Sequence, residues 1–330
     1  IIISVMNRDL TFESILKRDN NWTLFKELYH DQLPENVVPE VEKMLQCCAK
    51  DRGFATYICP HCAQTKIFPF SCKSKLRSHC GKKHTDLWAH TLSEKLLNCD
   101  HRHIILTISD KLWKFFINHP DRQKLLLDFA AKIINQIFSL KQKLTHGMIL
   151  VLHPFGDDLK SNFHIHALVS CGGLNNKRNQ FIDVNFIPYD TLRNKWQYLI
   201  LTALRNHSAH DEPLLNPTID WCFKYLKNGF CVFADSIVKG SKKHILQYIA
   251  RYTRHPPIST RRIINYNGTS VTFSYEPYGQ HFTKTLPKFE FILAVLIHTT
   301  SKHFKTIRRF GLYSRQSLAR LSFNHNQIIQ

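Results

Sequence analysis

Two histidines separated by one apolar residue stand out in residues 162–170, a run with the composition of a β-strand. Because side chains on a strand alternate between its two faces, His164 and His166 point the same way and Ile165 points the other way. Two imidazoles side by side on a sheet can hold one divalent metal ion. In a chain with 20 histidines, the same pair also fits ordinary surface or core histidines.

A pair of tyrosines four residues apart is the second feature, in residues 241–253, which have a helical pattern. Tyr248 and Tyr252 are one helical turn apart, so their hydroxyls share a face, with His244 one turn earlier. The alternative is an amphipathic core helix that buries both tyrosines. A phenol, with a pKa of about 10, is a poor nucleophile at neutral pH, yet it can attack a phosphodiester that a metal ion polarises. A His-x-His strand facing this helix would supply that arrangement.

Cysteines form the third group. Cys59-Pro60-His61-Cys62 is a C-x-x-C knuckle, and two further thiols follow it within a short distance in the chain. A knuckle with two more thiolates can close a tetrahedral zinc site, and soft thiolate ligands favour zinc. The sequence therefore predicts zinc ligands at Cys59, Cys62, Cys72 and Cys80. Buried free cysteines are the alternative, and the further ligands that complete one or two sites stay open among Cys47, His79 and His84.

The charge balance points to a polyanionic partner. Lysine and arginine number 45 against 25 acidic residues, so the formal net charge is +20, and nucleic acid is the simplest partner. No membrane partner is expected, because the longest apolar run, residues 289–297, is interrupted by Glu290 and is too short to span a bilayer. Residues 1–3 are too short for the core of a signal peptide. Ten cysteines then favour a reducing, cytoplasmic compartment and metal-bound or free thiols.

Helical and strand patterns alternate along the chain. Helices are predicted over residues 11–28, 37–45, 85–98, 125–140, 191–206, 221–228, 241–253 and 287–309. Strands are predicted over residues 103–108, 147–155, 162–170, 181–187, 230–234, 263–266 and 270–275. This mixture, without a glycine-rich dinucleotide loop, predicts an α+β fold around a largely antiparallel sheet flanked by helices. We expect a small helical, zinc-binding domain over residues 1–99 and a catalytic domain over residues 100–330 that ends in a basic helix.

These stretches together resemble the rolling-circle, two-tyrosine HUH transposases of the IS-ninety-one-like insertion-sequence family. The matching stretches run in the family's order over nearly the whole chain: Tyr57–Cys62, Ser71–Lys73, Cys80–Lys83, Phe163–Val169 with Gly172–Leu174, Tyr248–Tyr252 with Pro256–Ser259 and Arg262-Ile263, and Ile307–Leu312. The block around the tyrosines and the terminal block are the most specific.

The resemblance implies a zinc-binding region followed by an HUH endonuclease domain. It implies Tyr248 and Tyr252 as nucleophiles, and His164 and His166 as ligands of Mg²⁺ or Mn²⁺. The expected partners are single-stranded DNA at transposon ends and target DNA, in the cytoplasm of a prokaryote and close to its nucleoid. Phosphate contacts are expected from the basic residues around the tyrosines: Lys242, Lys243, Arg251, Arg254, Arg261 and Arg262.

Two positions depart from the family's pattern. Arg77 stands where the first cysteine of a Cys-x-x-Cys pair ending at Cys80 is expected, and Asn162 stands where a histidine often precedes the metal-binding pair. The third metal ligand is open among His153, Asp157, His244 and Gln247. Two other functions remain compatible with the sequence: a plasmid-type replication initiator or relaxase that nicks DNA, and an inactive zinc-containing DNA-binding remnant of a decaying element.

Overall fold

The computed structural model describes residues 10–93, 96–138, 144–175, 180–184, 187–206, 212–234, 237–238 and 256–317. The chain divides into two compact units. The first unit gathers Ile1–Leu87, Asp157–Lys160 and Arg254–Lys302, and the second unit gathers Trp88–Gly156, Ser161–Thr253 and His303–Gln330. Each unit therefore collects segments that are distant in the sequence. The contiguous domains expected over residues 1–99 and 100–330 stay a prediction.

Within the described residues, the α-helices are α1 (Phe12–Lys17), α2 (Asn21–Tyr29), α3 (Val37–Leu45), α4 (Ser78–Ser93), α5 (Pro120–Phe138), α6 (Tyr189–Asn206), α7 (Leu215–Tyr225) and α8 (Lys288–Leu296). The strands are β1 (Phe54–Ile58), β2 (Thr65–Pro69), β3 (His101–Thr107), β4 (Leu144–Phe155), β5 (Ser161–Asn175), β6 (Gln180–Asp183), β7 (Val232–Phe233), β8 (Ile237–Val238), β9 (Ile263–Tyr266), β10 (Ser270–Tyr275), β11 (Phe282–Pro287) and β12 (Ile307–Gly311). Short 3-10 helices lie at Arg18–Asn20, His30–Gln32, Lys50–Arg52, Asp110–Phe115, Thr260–Arg262 and Pro277–Gly279.

The first unit packs short helices against a small antiparallel sheet. Thr11 and Ser14 cap α1 reciprocally, each side chain accepting a hydrogen bond from the other's backbone amide. Asp19 and Asn20 have positive φ, so the helix expected over residues 11–28 is broken into α1 and α2. The core joins apolar side chains of α1, α2 and α3 to the sheet β11-β10-β9 and to α8. A separate exposed hairpin, β1–β2, carries the knuckle cysteines on its turn.

The second unit is built on an antiparallel sheet with the strand order β12-β4-β5-β3-β7, to which β6 and β8 add at β5 and β3. One face of this sheet is apolar, and side chains of α5, α6 and α7 pack against it in the largest core of the chain. The antiparallel central sheet flanked by helices confirms the predicted α+β fold. None of the helices in the described ranges has the length and apolar composition that crossing a bilayer requires.

The prediction of one basic helix over residues 287–309 is wrong beyond residue 296. Helix α8 ends at Leu296, and residues 307–311 form the strand β12, whose Ile307 lies opposite Val151 of β4. Pairing with a distant strand satisfies the backbone of this segment, and such pairing outweighs local helical propensity. Arg308 pairs with Asp128 inside the second unit, so no basic helical stripe exists there.

Candidate metal centres

Three histidines converge on the polar face of the central sheet. His164 and His166 lie on β5, and His153 lies on β4 directly opposite His164. The ligand nitrogens of the three rings all lie within 4.8 Å of one another, and Nε2 of His164 is 3.1 Å from Nε2 of His166. Of the four candidates for a third ligand, the structure therefore brings His153 to the pair. Asp157 belongs to the first unit, and His244 and Gln247 lie outside the described residues.

Hydrogen bonds fix the orientation of two of the rings. Nδ1 of His164 donates to the backbone carbonyl of Asn162 at 2.7 Å, which leaves a lone pair on Nε2. Nδ1 of His166 lies 2.8 Å from Nε2 of His103. In the tautomer of His166 that carries its proton on Nδ1, this nitrogen donates a hydrogen bond to His103. With this tautomer, the two Nε2 atoms, which are 3.1 Å apart, can each offer a lone pair to one ion. The ring geometry therefore suits a bound metal ion.

His103 is a candidate site residue that the sequence analysis did not single out. It lies on β3, beside β5, and is 6% exposed. Ligating histidines commonly give their second ring nitrogen to such a neighbour, which holds the ring and its tautomer. The spacing of His101 and His103 repeats that of His164 and His166, and this second His-x-His strand was the available signal.

The environment favours the neutral form of His103 and His166. Burial lowers the pKa of His166, and the neighbouring His153, His164 and His103 lower it further. Burial, assisted by His164, lowers the pKa of His103 to about 4. Neutral imidazole is the form that binds metal. Two nitrogens that each lie about 2.1 Å from one ion, and subtend about 90° at it, are about 3 Å apart. This distance matches the 3.1 Å between the Nε2 atoms of His164 and His166. Imidazole nitrogens are ligands of transition-metal ions, whereas Mg²⁺ favours oxygen ligands.

Most residues expected to act on DNA lie outside the described residues: Lys242, Lys243, Tyr248, Arg251, Tyr252 and Arg254. Arg261 and Arg262 fall in a 3-10 helix of the first unit. Arg261 is exposed to solvent. Arg262 instead donates to the carbonyls of Ser274, at 2.8 Å, and Asp157. Burial lowers the pKa of Arg262. Its guanidinium therefore joins two segments of the first unit.

A cluster of three thiols lies in the first unit. The Sγ atoms of Cys47, Cys72 and Cys80 are all within 4.8 Å of one another, and Cys47 Sγ is 3.6 Å from Cys80 Sγ. Burial raises the pKa of Cys47, but hydrogen bonds from Cys72, Cys48 and Cys80 outweigh it and lower the pKa to about 7. Burial raises the pKa of Cys72 to about 12. A dicationic metal would compensate the charge of the thiolates, as in zinc sites. We call this group the cysteine triplet.

The knuckle cysteines, Cys59 and Cys62, do not belong to the group of thiols that forms the triplet. Among the described residues, no third ligand joins Cys59 and Cys62 within the same 4.8 Å limit. Both lie on the turn of the β1–β2 hairpin, where backbone amides of Cys62 and His61 donate to Cys59 and lower the pKa of its thiol. The four predicted thiolates are thus divided between the knuckle and the triplet.

The remaining residues near the triplet have distinct positions. Arg77, where the family's pattern expects cysteine, hydrogen-bonds to Cys47 and lies with its Nε 3.1 Å from Glu13 Oε2. His79 is exposed, and His84 lies on α4 one turn beyond Cys80. Cys48, which the sequence analysis did not propose as a ligand, has its Sγ 3.6 Å from that of Cys47. Because Cys48 is next to Cys47 in the sequence, and Cys47 was already a candidate, the sequence could have indicated Cys48 as a ligand too.

Two family models and two curated relatives match this chain. A model described as "Transposase zinc-binding domain" matches residues 18–108, and one described as "Putative transposase" matches residues 147–320. The chain is 28% identical over 297 residues to the transposase for insertion sequence element IS801 of Pseudomonas savastanoi pv. phaseolicola, covering 84% of this chain and 70% of that protein. It is 25% identical over 286 residues to "Putative transposase y4qJ" of Sinorhizobium fredii, covering 79% and 71%.

No solved structure matches the chain significantly. The zinc-binding match includes both the knuckle and the cysteine triplet, so the cysteine-rich first unit fits Zn²⁺. The transposase match includes His153, His164 and His166. These matches confirm the resemblance drawn from the sequence. The match to residues 18–108 shows that the protein carries a transposase zinc-binding domain. Because the match to residues 147–320 spans just over half of the chain, the protein belongs to the "Putative transposase" family of insertion-sequence transposases, which are DNA-cleaving enzymes.

Proposed function

We propose that this transposase cleaves and rejoins single-stranded DNA at transposon ends through phosphotyrosine intermediates, as in rolling-circle transposition. In this proposal Tyr248 and Tyr252 are the nucleophiles, and His153, His164 and His166 hold Mg²⁺ or Mn²⁺. The observation that carries it is the convergence of three imidazoles on one sheet face, with two Nε2 atoms 3.1 Å apart. Membership of a transposase family makes a DNA phosphodiester the natural substrate.

The proposed chemistry conserves the energy of the phosphodiester bond. His153, His164 and His166 would hold the metal ion, which would polarise the scissile phosphate and stabilise charge on the leaving oxygen. A tyrosine Oη forms a bond to phosphorus while the bond from phosphorus to the 3′ oxygen breaks. The phenol proton passes to water, and the 3′ oxygen takes a proton and becomes a hydroxyl. A later attack by a 3′-hydroxyl on the phosphotyrosyl bond reverses these steps, and two tyrosines allow two strands to be held at once.

We also propose that zinc binds in the first unit at the cysteines. Cys47, Cys72 and Cys80 supply three thiolates of one site. Candidates for a fourth ligand are Cys48 and His79, which are their neighbours in the chain, and His84, one helical turn after Cys80. Cys59 and Cys62 supply the pair of a second site. The support is the short distance between the three thiols and the match to a zinc-binding domain. Zinc held there would stabilise the fold of the first unit, because its small hairpin is exposed on both faces.

A covalent-adduct assay tests the proposed reaction. Zinc-loaded protein is incubated with labelled single-stranded DNA that carries the element's own ends, with Mn²⁺, with Mg²⁺ or with chelator, and is then resolved on a denaturing gel. We expect a metal-dependent protein–DNA band that is stronger with Mn²⁺, because the ligands are all nitrogen. The band should be lost in the Tyr248→Phe, Tyr252→Phe double variant, and the single variants should assign the two roles.

A matched control and a contrary result complete this test. Tyr198→Phe removes the hydroxyl of an exposed tyrosine on α6, and it should leave the adduct unchanged. His164→Ala should abolish the adduct while DNA binding persists. If folded, zinc-loaded protein binds the DNA but forms no adduct under any metal condition, the phosphotyrosine proposal is wrong and a DNA-binding remnant is the better description.

A further inference from the structure

Helix α7 in the second unit carries two aromatic side chains on its solvent face. Trp221 and Tyr225 are one turn apart, their ring centroids are 5.2 Å apart, and they are 37% and 56% exposed. The other four tryptophans of the chain are buried or partly buried, so Trp221 is the most exposed one. Exposing such large rings to water is costly. Their position therefore needs an explanation other than packing.

Packing does not explain these rings because the opposite face of α7 already anchors the helix. Leu215, Ile219 and Cys222 are fully buried in the core of the second unit. An amphipathic helix needs only one apolar stripe to dock on its sheet. Trp221 and Tyr225 lie outside that stripe. Their aromatic surface is therefore available to a ligand.

Each of these rings has a cation beside it. Lys111 Nζ lies 4.6 Å from the ring centroid of Trp221, and Lys224 Nζ lies 5.1 Å from that of Tyr225. On the flank of the same helix, Arg205, which forms an ion pair with Asp220, lies 5.8 Å from the ring of Phe223, and that ring is 40% exposed. The patch thus offers flat apolar surfaces and positive charge together. This combination complements a strand whose bases are flat and whose phosphates are negative.

The patch lies at the end of the sheet that carries His164. Thr107, the last residue of β3, lies opposite His164 of β5. Lys111 follows Thr107 by four residues, so its Cα is at most about 14 Å from that of Thr107. Because α7 packs on the apolar face of the sheet and the histidines lie on its polar face, a DNA strand that reaches both must pass around the end of β3.

We propose that Trp221 and Tyr225, with Lys111 and Lys224, form a stacking platform for the bases of single-stranded DNA. The rings stack on bases, and the lysines contact the neighbouring phosphates. Duplex DNA keeps its bases paired and stacked internally, so the platform selects the single strand. The placement of this strand next to the cleaved bond rests on the proposed function, whereas the binding itself does not depend on it.

Fluorescence of Trp221 gives a direct test in the intact protein. An oligothymidylate is titrated into zinc-loaded wild-type protein in a buffer without Mg²⁺ or Mn²⁺, and a hairpin duplex of equal length is titrated in parallel. We expect the oligothymidylate to quench the exposed tryptophan and the duplex to quench it much less. In the Trp221→Phe variant this quenching should disappear, because the other tryptophans lie in or against the protein core.

Substitutions measure how much the platform contributes. Loss of one base stack weakens binding about 5- to 150-fold, so Trp221→Ala and Tyr225→Ala should each reduce affinity for a labelled oligothymidylate by a factor in this range. Lys111→Ala should reduce the magnitude of the slope of log K against log salt concentration by about 0.7, the value for one phosphate contact to a single strand. Tyr198→Ala, which removes a tyrosine of similar exposure from α6, is the matched control and should bind like the wild type.

The outcomes separate this inference from the proposed function. Binding and quenching without any covalent adduct would support the platform and contradict the phosphotyrosine chemistry. An adduct that forms normally while quenching is absent and both alanine variants bind like the wild type would overturn the platform. A change in Trp221 fluorescence that follows protein concentration alone, with a doubled mass in sedimentation, would show a self-association face and also overturn it.

Discussion

Removal of the acceptor beside His166 gives the sharpest prediction for the histidine site. His103 and His166 are only 6% and 8% exposed, and their ring nitrogens are 2.8 Å apart. His103→Leu leaves the Nδ1–H of His166 buried without its acceptor, at a cost of about 1–3 kcal/mol. The ring of His166 also loses the contact that holds its orientation.

The expected size of the effect follows from two independent arguments. Loss of an outer partner of a metal-binding histidine typically lowers metal affinity about 10- to 100-fold. That range corresponds to roughly 1.4–2.8 kcal/mol, in agreement with the cost of an unpaired buried donor. His103→Gln offers a carbonyl oxygen as a substitute acceptor, so its affinity should stay within a few-fold of the wild type.

Calorimetric titration of Mn²⁺ into zinc-loaded protein measures this effect directly. His164→Ala provides the baseline for metal bound elsewhere in the chain. Thermal unfolding without Mn²⁺ verifies that each variant is folded. If His103→Leu binds Mn²⁺ as tightly as the wild type, or if the leucine and glutamine variants lose affinity equally, His103 does not position His166 and the reasoning fails.

Three further predictions concern stability and zinc. His298 is 8% exposed and donates to the carbonyl of Leu159 at 3.0 Å, and burial lowers its pKa to about 4. In the unfolded chain this imidazole has a pKa of about 6.5. Between these two pH values the unfolded chain binds a proton that the folded chain does not, so stability is lost as the pH falls through this window. His298→Gln keeps a donor and should remove about 2.5 kcal/mol of the difference in unfolding free energy between pH 7 and pH 4.5, and an unchanged difference in urea unfolding would contradict this. Gly147→Ala places a Cβ 2.6 Å from the ring of Tyr313, which is 1% exposed, so the variant should lose about 1–3 kcal/mol in thermal unfolding; Gly81→Ala, whose Cβ on α4 meets nothing closer than 3.4 Å, is the control and should not be destabilised. Because the knuckle lies apart from the triplet, Cys59→Ser should retain the zinc bound by the triplet and Cys72→Ser that bound by the knuckle; loss of all zinc in either variant, by elemental analysis, would show a single site.

Local sequence patterns were enough to predict the strand that carries His164 and His166 and the faces to which their side chains point. The alternation of apolar and polar residues in β5 is preserved because one face of the sheet is buried and the other is not. The β4–β5 pairing could also be expected from the turn between these strands. The register of this pairing could not be predicted, because an irregularity shifts it near His153. For that reason His153 was only one of four possible third ligands.

Residues brought together from distant parts of the chain were beyond the reach of pattern analysis. His103 approaches His166 only because β3 pairs with β5, a long-range contact that local periodicity does not encode. Cys47 joins Cys72 and Cys80 through the packing of the first unit, while the C-x-x-C spacing pointed to Cys59 and Cys62. The tail beyond α8 was assigned to a helix for the same reason, since its pairing partner β4 lies far upstream.

The pairing of β12 with β4 has a consequence for synthesis of the protein on the ribosome. Ile307 pairs with Val151, so β4 is translated about 150 residues before its neighbour, a delay of roughly 8–30 s at typical bacterial rates. Throughout this delay the nascent chain presents the apolar strand Met148–Leu152 with one edge unpaired, and such edges recruit strands from other chains. A messenger truncated upstream of β12 would therefore yield an aggregation-prone product, and complete chains would benefit from a chaperone that shields this edge during translation.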